Sequence, residues 1–247
     1  LMSVTGLPGQ GPVRVGIPIA DLTCGMYLAI GVLTALLERE VSGEGQWVHT
    51  SLLEAQIAML DFQASRWTMA HEIPPQVGNN HPTSVPTGVF KTADGHINIA
   101  ASGGVMVERL SKELNAPNLL TDPRFKDNKS SAANRDAMNA AIEAYTVKRG
   151  SADLIEGLNA AGVPCGPIYN VKQTFEDPQV QHLGMATPAP HVTMGDLSIV
   201  RHPTNLERTP FVMRSAAPEQ GDVTAETLAA LGYDAAAQAK LKADGAI

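Results

Sequence analysis

The sequence predicts a chain of the α/β class, in which an amino-terminal segment is followed by a small α+β domain. Two observations support this prediction. An apolar run over residues 28–37 has the length and composition of a buried helix. Further along, Asp94 and Gly95 stand between two short apolar runs, which is a strong signal for a β-hairpin. Helical patterns follow this hairpin, so the second half mixes both kinds of element.

The amino-terminal segment, residues 1–72, begins with a stretch rich in glycine and proline that predicts a loop over residues 1–20. A helix is expected over residues 22–40, followed by a turn and a short strand over residues 46–50. Ser51, with Glu54 three residues later, predicts a capping box. The helix that it opens keeps its apolar spacing to about residue 71.

The rest of the chain is divided into a proline-rich linker at 73–86, a small α+β domain at 87–202, and a linker with a terminal helix at 203–247. Within the small domain, the hairpin spans residues 89–101. Further elements are expected in this order: helices at 104–115, 131–148 and 151–161, an extended segment at 163–168, a short helix at 171–175 and strands within 184–202. The terminal helix is expected over residues 224–243, where alanines are abundant.

Composition limits the classes of function. The chain has 247 residues, 44% of them hydrophobic and 17% charged, which is ordinary for a globular protein. Its net charge of −7 and the absence of a long basic cluster argue against a surface for nucleic acid or for an anionic membrane. No run of about eighteen residues is free of polar interruption, so we expect no membrane-spanning helix.

The cysteines and histidines suggest neither disulfides nor metal. Cys24 and Cys165 are the two cysteines, and they form no CxxC pair, so a cytoplasmic, reducing environment is expected. The seven histidines are scattered, and no two are spaced to share a helix face. We therefore expect no metal site.

Asp21 stands just before the apolar run at residues 28–37. On position alone the favoured interpretation is an N-cap, because an aspartate oxygen can accept a backbone N–H of the first helical turn. The alternative is a catalytic carboxylate, and the surrounding sequence favours it.

Ordered motifs run along the chain from this residue. They are Asp21-x-x-x-Gly25-Met26-Tyr27, Gly31, Ala35-Leu36-Leu37-Glu38-Arg39, Gly43-x-Gly45-Gln46, Ser51-Leu52-Leu53-Glu54-Ala55, Pro86-x-Gly88-x-Phe90-x-Thr92-x-Asp94-Gly95, Ala161-Gly162-Val163-Pro164-Cys165-Gly166-Pro167 and Asp177-Pro178-Gln179. In these motifs the chain resembles the family III CoA-transferases, the group of formyl-CoA transferase, carnitine CoA-transferase and methylacyl-CoA racemase.

The resemblance implies that the chain is the carboxy-terminal portion of such an enzyme. Residues 1–72 would belong to a large domain whose amino-terminal half, with most of the CoA contacts, is missing. The tail would return to that domain, and the enzyme would be an interlocked homodimer. Asp21 matches the catalytic nucleophile. Coenzyme A or acyl-CoA would be a substrate rather than a permanently bound cofactor, and a carboxylic acid would be the second substrate.

The resemblance also places a mobile loop that covers the substrate at residues 78–82. Its glycine and short polar side chains could offer donors to a substrate carboxylate, so Gly78, Asn79, Asn80 and His81 are the candidate substrate-binding residues. The alternative is a surface loop broken by prolines. Some oxalate-type members have several glycines here and this chain has one, which weakens any assignment of oxalate.

Three functions remain open. The first is an acyl-CoA:carboxylate CoA-transferase that acts through a covalent aspartyl-CoA thioester, with a dicarboxylate as donor or acceptor. The second is a 2-methylacyl-CoA racemase or related isomerase, and the third is an inactive CoA-ester-binding fragment. Racemases of the family carry a glutamate just beyond the strand that matches residues 97–101, where this chain has Ser102-Gly103-Gly104. That difference favours the transferase.

Overall fold

A computed structural model describes residues 1–213 and 216–247. Contacts divide the chain into two compact units, Leu1–Ile168 and Tyr169–Ile247. This division falls inside the region expected to form the small domain, residues 87–202. The expected domain boundaries remain a prediction.

The first unit contains eight helices, a turn of 3₁₀-helix and a three-stranded sheet in its described residues. In chain order the elements are α1 (Ile19–Ser42), α2 (Leu52–Ala58), α3 (Phe62–Ala70), β1 (Thr87–Lys91), β2 (His96–Ala100), α4 (Gly104–Glu113), α5 (Asn118–Thr121), the 3₁₀ turn (Pro123–Phe125), α6 (Asn128–Ala133), α7 (Arg135–Thr146), α8 (Ser151–Ala160) and β3 (Cys165–Pro167). The sheet is antiparallel with the strand order β1-β2-β3.

The hairpin predicted from Asp94 and Gly95 is confirmed. Strands β1 and β2 pair with Phe90 opposite Ile97, and the Asp-Gly pair lies in the turn between them. Side chains alternate across the sheet, so Phe90, Ile97 and Ile99 are buried on one face. That face supplies the sheet's share of the core.

The hydrophobic core of the first unit is made of buried side chains from the sequence range 85–163. Helix α7 packs on β1, and α8 packs on β2 and β3. Their fully buried side chains close the core over the sheet, as seen for Met138 and Ile142 on α7 and for Leu158 on α8. The helices predicted at residues 104–115 and 151–161 are confirmed as α4 and α8. The helix predicted at 131–148 is divided between α6 and α7.

The amino-terminal segment differs from the prediction in three places. Helix α1 begins at Ile19, with Pro18 as its N-cap, so the N-cap interpretation of Asp21 is wrong. The predicted strand at 46–50 is wrong too, because a strand needs a partner for its backbone groups and no described residue pairs with it. The single helix expected over residues 51–71 is broken between α2 and α3, where Asp61 has a φ of 49°.

The predicted cap at Ser51 is confirmed, although the capping box is only partly formed. The Ser51 Oγ accepts the backbone N–H of Glu54 at 3.2 Å. The Glu54 carboxylate in turn accepts the Ser51 hydroxyl at 2.7 Å instead of the Ser51 backbone N–H. The cap still fixes where α2 begins.

Helix α1 leaves most of its apolar surface uncovered. Thr23 is its one fully buried residue in the described part of the chain, and its hydroxyl donates to the Ile19 carbonyl at 2.6 Å. By contrast, Leu33 and Leu37 are 61% and 72% exposed. The helix is also long and apolar enough to cross a membrane, with a mean hydropathy of 1.7. The expectation that no segment is long and apolar enough to span a membrane was therefore wrong for α1.

The second unit is built from short elements. They are α9 (Val171–Glu176), α10 (Pro178–His182), β4 (Ala186–Pro188), β5 (Ser198–Val200), α11 (Thr224–Ala230) and α12 (Ala235–Ala243), and β4 pairs antiparallel with β5. The terminal helix predicted over residues 224–243 is two helices. Gly232 has a φ of 91° just after α11, and the Asp234 carboxylate caps α12 by accepting the Ala237 N–H at 2.8 Å.

One carboxylate joins the hairpin to α8. Asp94 accepts the hydroxyl of Ser151 at 2.7 Å and its backbone N–H at 2.8 Å, and it also accepts the Thr92 hydroxyl at 3.1 Å. The hydrogen bonds from Ser151, followed by the one from Thr92, lower the pKa of Asp94 below its usual value. The turn of the hairpin is therefore held at the start of α8.

This contact should make part of the stability depend on pH. Because the folded-state pKa of Asp94 is lowered, its contribution is complete above the ordinary aspartate range near 4 and is lost as pH falls through the lowered value. We expect wild-type protein to melt at a higher temperature than Asp94→Asn at pH 6, with the difference shrinking below pH 4. Thermal melts between pH 2.5 and 6 measure this. Asp196→Asn, in the β4–β5 hairpin, should show no such convergence.

Candidate active site

Asp21 is the third residue of α1 and lies in its first turn. The first hydrogen bond of the helix joins the Leu22 N–H to the Pro18 carbonyl at 3.1 Å. The N–H groups of Ala20 and Asp21 precede that bond, so they belong to the electropositive end of the helix. The Asp21 side chain is exposed, and no group in the described part of the chain donates a hydrogen bond to its carboxylate. The carboxylate is therefore open to an incoming reactant.

A small pocket opens at this end of α1. It has a volume of about 210 Å³, and its lining is Leu1, Met2, Arg14, Val15, Ile17, Pro18, Ile19, Ala20, Asp21 and Gln56. Ligand sites for drug-sized molecules are typically about 300–1,000 Å³. The pocket can therefore take a small acyl or carboxylate group, while a molecule as large as coenzyme A must extend beyond it.

Arg14 and Gln56 are the two polar side chains that the sequence analysis missed. Arg14 brings a cation to the same pocket as Asp21, and within the described residues the two form no ion pair at 4.0 Å or less. Gln56 approaches from α2. A signal for Arg14 existed, since it is the one arginine or lysine in residues 1–38. Nothing local pointed to Gln56, which reaches the pocket only through packing.

The loop at 78–82 is held by backbone bonds on both sides. Gly78 has a φ of 61°, and its N–H donates to the Gly6 carbonyl at 3.0 Å. The Asn79 carbonyl accepts the Val89 N–H at 3.2 Å, and the His81 N–H donates to the Thr87 carbonyl at 2.9 Å. The loop therefore runs alongside β1 as an irregular extension of the sheet.

The side chains of Asn80 and His81 are occupied within the loop's own surroundings. The Asn80 Oδ1 accepts from Asn139 at 2.7 Å, and its Nδ2 donates to the Val77 carbonyl at 3.1 Å. The His81 Nδ1 accepts the N–H groups of Thr83 and Ser84 at 3.2 and 3.0 Å. Two donors directed at Nδ1 require the ring proton to be on Nε2.

The His81 ring also stacks on Phe62 of α3, with the ring centroids 5.9 Å apart. In this conformation Asn80 and His81 shape the loop, whereas the Asn79 side chain is exposed. None of the four candidate loop residues lines the pocket at Asp21. The assignment of Gly78, Asn79, Asn80 and His81 to substrate binding remains a prediction.

Other reactive groups are separate from this pocket. Within residues 1–213 and 216–247, no three metal-ligating side chains of histidine, cysteine, aspartate or glutamate come together. Both cysteines are free thiols. Burial raises the pKa of the Cys165 thiol, which disfavours the reactive thiolate. Asp21 combines an exposed carboxylate, a helix start and an adjacent pocket.

Comparisons with known proteins agree on one family. The sequence model of CoA-transferase family III matches residues 1–224. The chain is 31% identical over 230 residues to succinate–glutarate CoA-transferase of Agrobacterium fabrum, an alignment that spans 93% of this chain and 58% of that protein. It is 32% identical over 195 residues to acetyl-CoA:oxalate CoA-transferase of Acetobacter aceti, spanning 78% and 50%.

A solved structure gives the same picture. The crystal structure of a CAIB/BAIF family protein from Brucella suis matches with a TM-score of 0.77 and 31% identity, over 93% of this chain and 60% of that one. The chain thus spans between half and three-fifths of the length of these three proteins.

Proposed function

The chain belongs to CoA-transferase family III, and on that premise we propose that it forms the nucleophile-bearing part of an acyl-CoA:carboxylate CoA-transferase. One observation supports this most strongly. Asp21 presents an exposed carboxylate, with no ion pair or hydrogen-bond donor among the described residues, at the electropositive end of α1 and beside a pocket sized for a small acyl group. An ionised carboxylate can attack a thioester without a general base.

The first half of the reaction loads the enzyme. The Asp21 carboxylate attacks the carbonyl carbon of the donor acyl-CoA, and loss of the thiolate gives an acyl-aspartyl anhydride and free CoA. The thiolate then attacks the aspartyl carbonyl of the anhydride. The donor leaves as its carboxylate, and Asp21 is left as an aspartyl-CoA thioester.

The second half reverses these steps with another acid. The acceptor carboxylate attacks the aspartyl thioester, which gives a new mixed anhydride and releases the thiolate again. Attack of the thiolate on the acceptor's carbonyl forms the new acyl-CoA and restores the Asp21 carboxylate. Each step creates a tetrahedral oxyanion, and the free N–H groups of Ala20 and Asp21 are suited to stabilise one at this position.

We further propose that one substrate is a dicarboxylic acid. The names of the two relatives refer to succinate, glutarate and oxalate, all dicarboxylates. Such an acid reacts through one carboxylate and keeps the other charged. Arg14 lines the same pocket as Asp21 and supplies a cation for that second carboxylate.

Chemical trapping tests the mechanism. The protein is incubated with an acyl-CoA donor and then treated with hydroxylamine or borohydride, and its peptides are analysed by mass spectrometry. A hydroxamate or an alcohol should appear at Asp21 only when the donor is present. Transfer activity accompanied by an unmodified Asp21, under conditions that modify a model thioester, would contradict the covalent mechanism.

We propose that the protein acts in a reducing cytoplasm as a homodimer in which α1 is covered by protein. The free cysteines suit a reducing compartment. Single exposed apolar residues are common on protein surfaces, but α1 exposes many apolar residues along one helix. Such a surface favours association with other protein over exposure to water.

Substitutions on that face should weaken the dimer. We expect Leu33→Glu and Leu37→Glu to raise the dimer dissociation constant by about tenfold or more, because each buries a charge in an apolar contact. Analytical ultracentrifugation over a concentration series measures the constant. Val192→Glu is the matched control, because Val192 is 93% exposed and lies in the other unit. If all three variants associate like wild type, α1 does not form the interface.

A further inference from the structure

Two polar side chains on α7 reach the loop at 78–82. Arg135 and Asn139 are four residues apart, so they share one face of the helix. The Arg135 Nη2 donates to the Pro82 carbonyl at 2.7 Å. The Asn139 Nδ2 donates to the Asn80 Oδ1 at 2.7 Å. Both are short, well-formed hydrogen bonds, and together they attach the loop to α7 at Asn80 and Pro82.

Strand β1 holds the same stretch from the other side. Backbone bonds join Asn79 to Val89 and His81 to Thr87. The approach at Gly88 is so close that a Cβ atom there would lie 2.7 Å from the Asn79 carbonyl oxygen. Residues 79–82 are therefore fixed to β1 and α7, and the His81 ring also stacks on Phe62 of α3.

Residues just before this stretch are fixed to a different part of the first unit. Gly78 donates to Gly6, and the Gln76 Nε2 donates to the carbonyls of Thr5 and Gly11 at 2.5 and 2.7 Å. The attachment therefore changes around Gly78, although Asn80 also bonds back to the Val77 carbonyl, through its N–H at 3.3 Å and its Nδ2 at 3.1 Å. Gly78 has the positive φ that glycine tolerates best, which suits it to a hinge.

Arg135 is an unfavourable choice for a purely structural contact. Its Nε is buried and has no hydrogen-bond partner within the described residues. Burying an unpaired donor lowers stability. Sequences accept locally unfavourable choices mainly where function requires them.

We propose that Arg135 and Asn139 are positioning residues for the substrate loop. By their two bonds they tie residues 79–82 to β1 and α7, so the loop meets the substrate as part of that framework and not as an independent flap. The proposal rests on the proposed CoA-transferase function, since only then does the loop have a substrate to meet.

Steady-state kinetics test the positioning role. We expect Arg135→Ala and Asn139→Ala to raise KM for the acceptor acid by about tenfold and to lower kcat less, because misplaced contacts lose binding of that substrate. In Arg135→Lys the KM should stay close to the wild-type value, since lysine can still donate to the Pro82 carbonyl. Asn139→Asp should not, since a carboxylate has no proton for Asn80.

Arg109→Ala is the matched control. The Arg109 Nη1 donates to the Gly162 carbonyl at 3.2 Å, so this variant also loses an arginine-to-backbone bond, at a place away from the loop. It should keep the wild-type KM. Equal KM changes in Arg109→Ala and Arg135→Ala would show a general loss of stability and overturn the positioning role.

Hydrogen–deuterium exchange provides a readout that needs no activity. In Arg135→Ala, the amides of His81 and Val89 should exchange about tenfold faster than in wild type, whereas those near Gly162 should not. If wild-type protein transfers no CoA to any acid, the proposed function fails. The exchange rates alone then test whether Arg135 holds the loop in place. Unchanged exchange in Arg135→Ala, or faster exchange with an unchanged KM in an active enzyme, overturns the proposal.

Discussion

Asp21→Asn is expected to abolish CoA transfer, with a loss of at least about a thousandfold, while the protein stays folded. The amide has nearly the shape of the carboxylate but lacks the charge that attacks the thioester, and covalent nucleophiles show losses of this order when removed. The structural cost should be small, because the side chain is exposed and accepts no hydrogen bond from the described residues. Losing a favourable charge at a helix start costs less than about 1 kcal/mol.

The measurement is the rate of CoA transfer by the variant alongside its thermal melt. Asp136→Asn is the matched control, because Asp136 is also an exposed aspartate in the first turn of a helix, α7. It should transfer CoA at the wild-type rate. An active Asp21→Asn enzyme would remove Asp21 from the mechanism, whichever acid is used.

Gly78→Pro is expected to raise the ratio of thioester hydrolysis to transfer severalfold and to destabilise the protein by roughly 2–4 kcal/mol. Proline fixes φ near −65°, whereas Gly78 has a φ of 61°. Proline also removes the N–H that bonds to the Gly6 carbonyl. A loop displaced at this hinge admits water to the aspartyl thioester, which water can then hydrolyse.

Hydrolysis and transfer are measured together, as release of free thiol and formation of the new acyl-CoA. Gly9→Pro separates backbone strain from loss of the loop contact. Gly9 has a φ of 80°, and apart from its chain neighbours no described residue has an atom within 4 Å of where its Cβ would be. Its variant should lose some stability and keep the wild-type ratio. The hinge role of Gly78 would fail if the two variants had the same ratio.

Local signals accounted for the parts of the fold that local chemistry determines. The Asp94-Gly95 pair marked the turn of the hairpin, which spans residues 92–95 and is closed by the Thr92 N–H bonded to the Gly95 carbonyl. Ser51 located the start of α2 through its own hydroxyl. The helical patterns over residues 131–148 and 151–161 predicted the presence of α7 and α8, which pack on the neighbouring sheet.

The errors in the predicted secondary structure arose where contacts between distant parts of the chain determine the local conformation. Apolar spacing continues through the break at Asp61, so periodicity could not reveal that α2 and α3 are separate. A strand at residues 46–50 depended on a partner that the sequence does not specify. The expected helix start at residue 22 missed the turn that begins after Pro18.

The site was predictable only in part. Asp21 was found through its resemblance to a family motif, and its place beside a pocket agrees with that hypothesis without testing it. Arg14, Gln56 and the bonds from α7 to the loop depend on contacts between residues far apart in sequence. No spacing rule encodes such contacts.

The order of the elements along the chain has a consequence for biosynthesis. The core between Val85 and Val163 is continuous in sequence, so its body can fold as soon as that stretch has left the ribosome. Helix α1 is translated earlier, yet its apolar face has little to cover it within its own unit. The nascent chain therefore carries the exposed apolar face of α1 while the core between residues 85 and 163 is still being made. We expect chaperones that bind apolar segments to engage residues 19–42, and expression yield to respond more to chaperone supply than to the stability of the sheet.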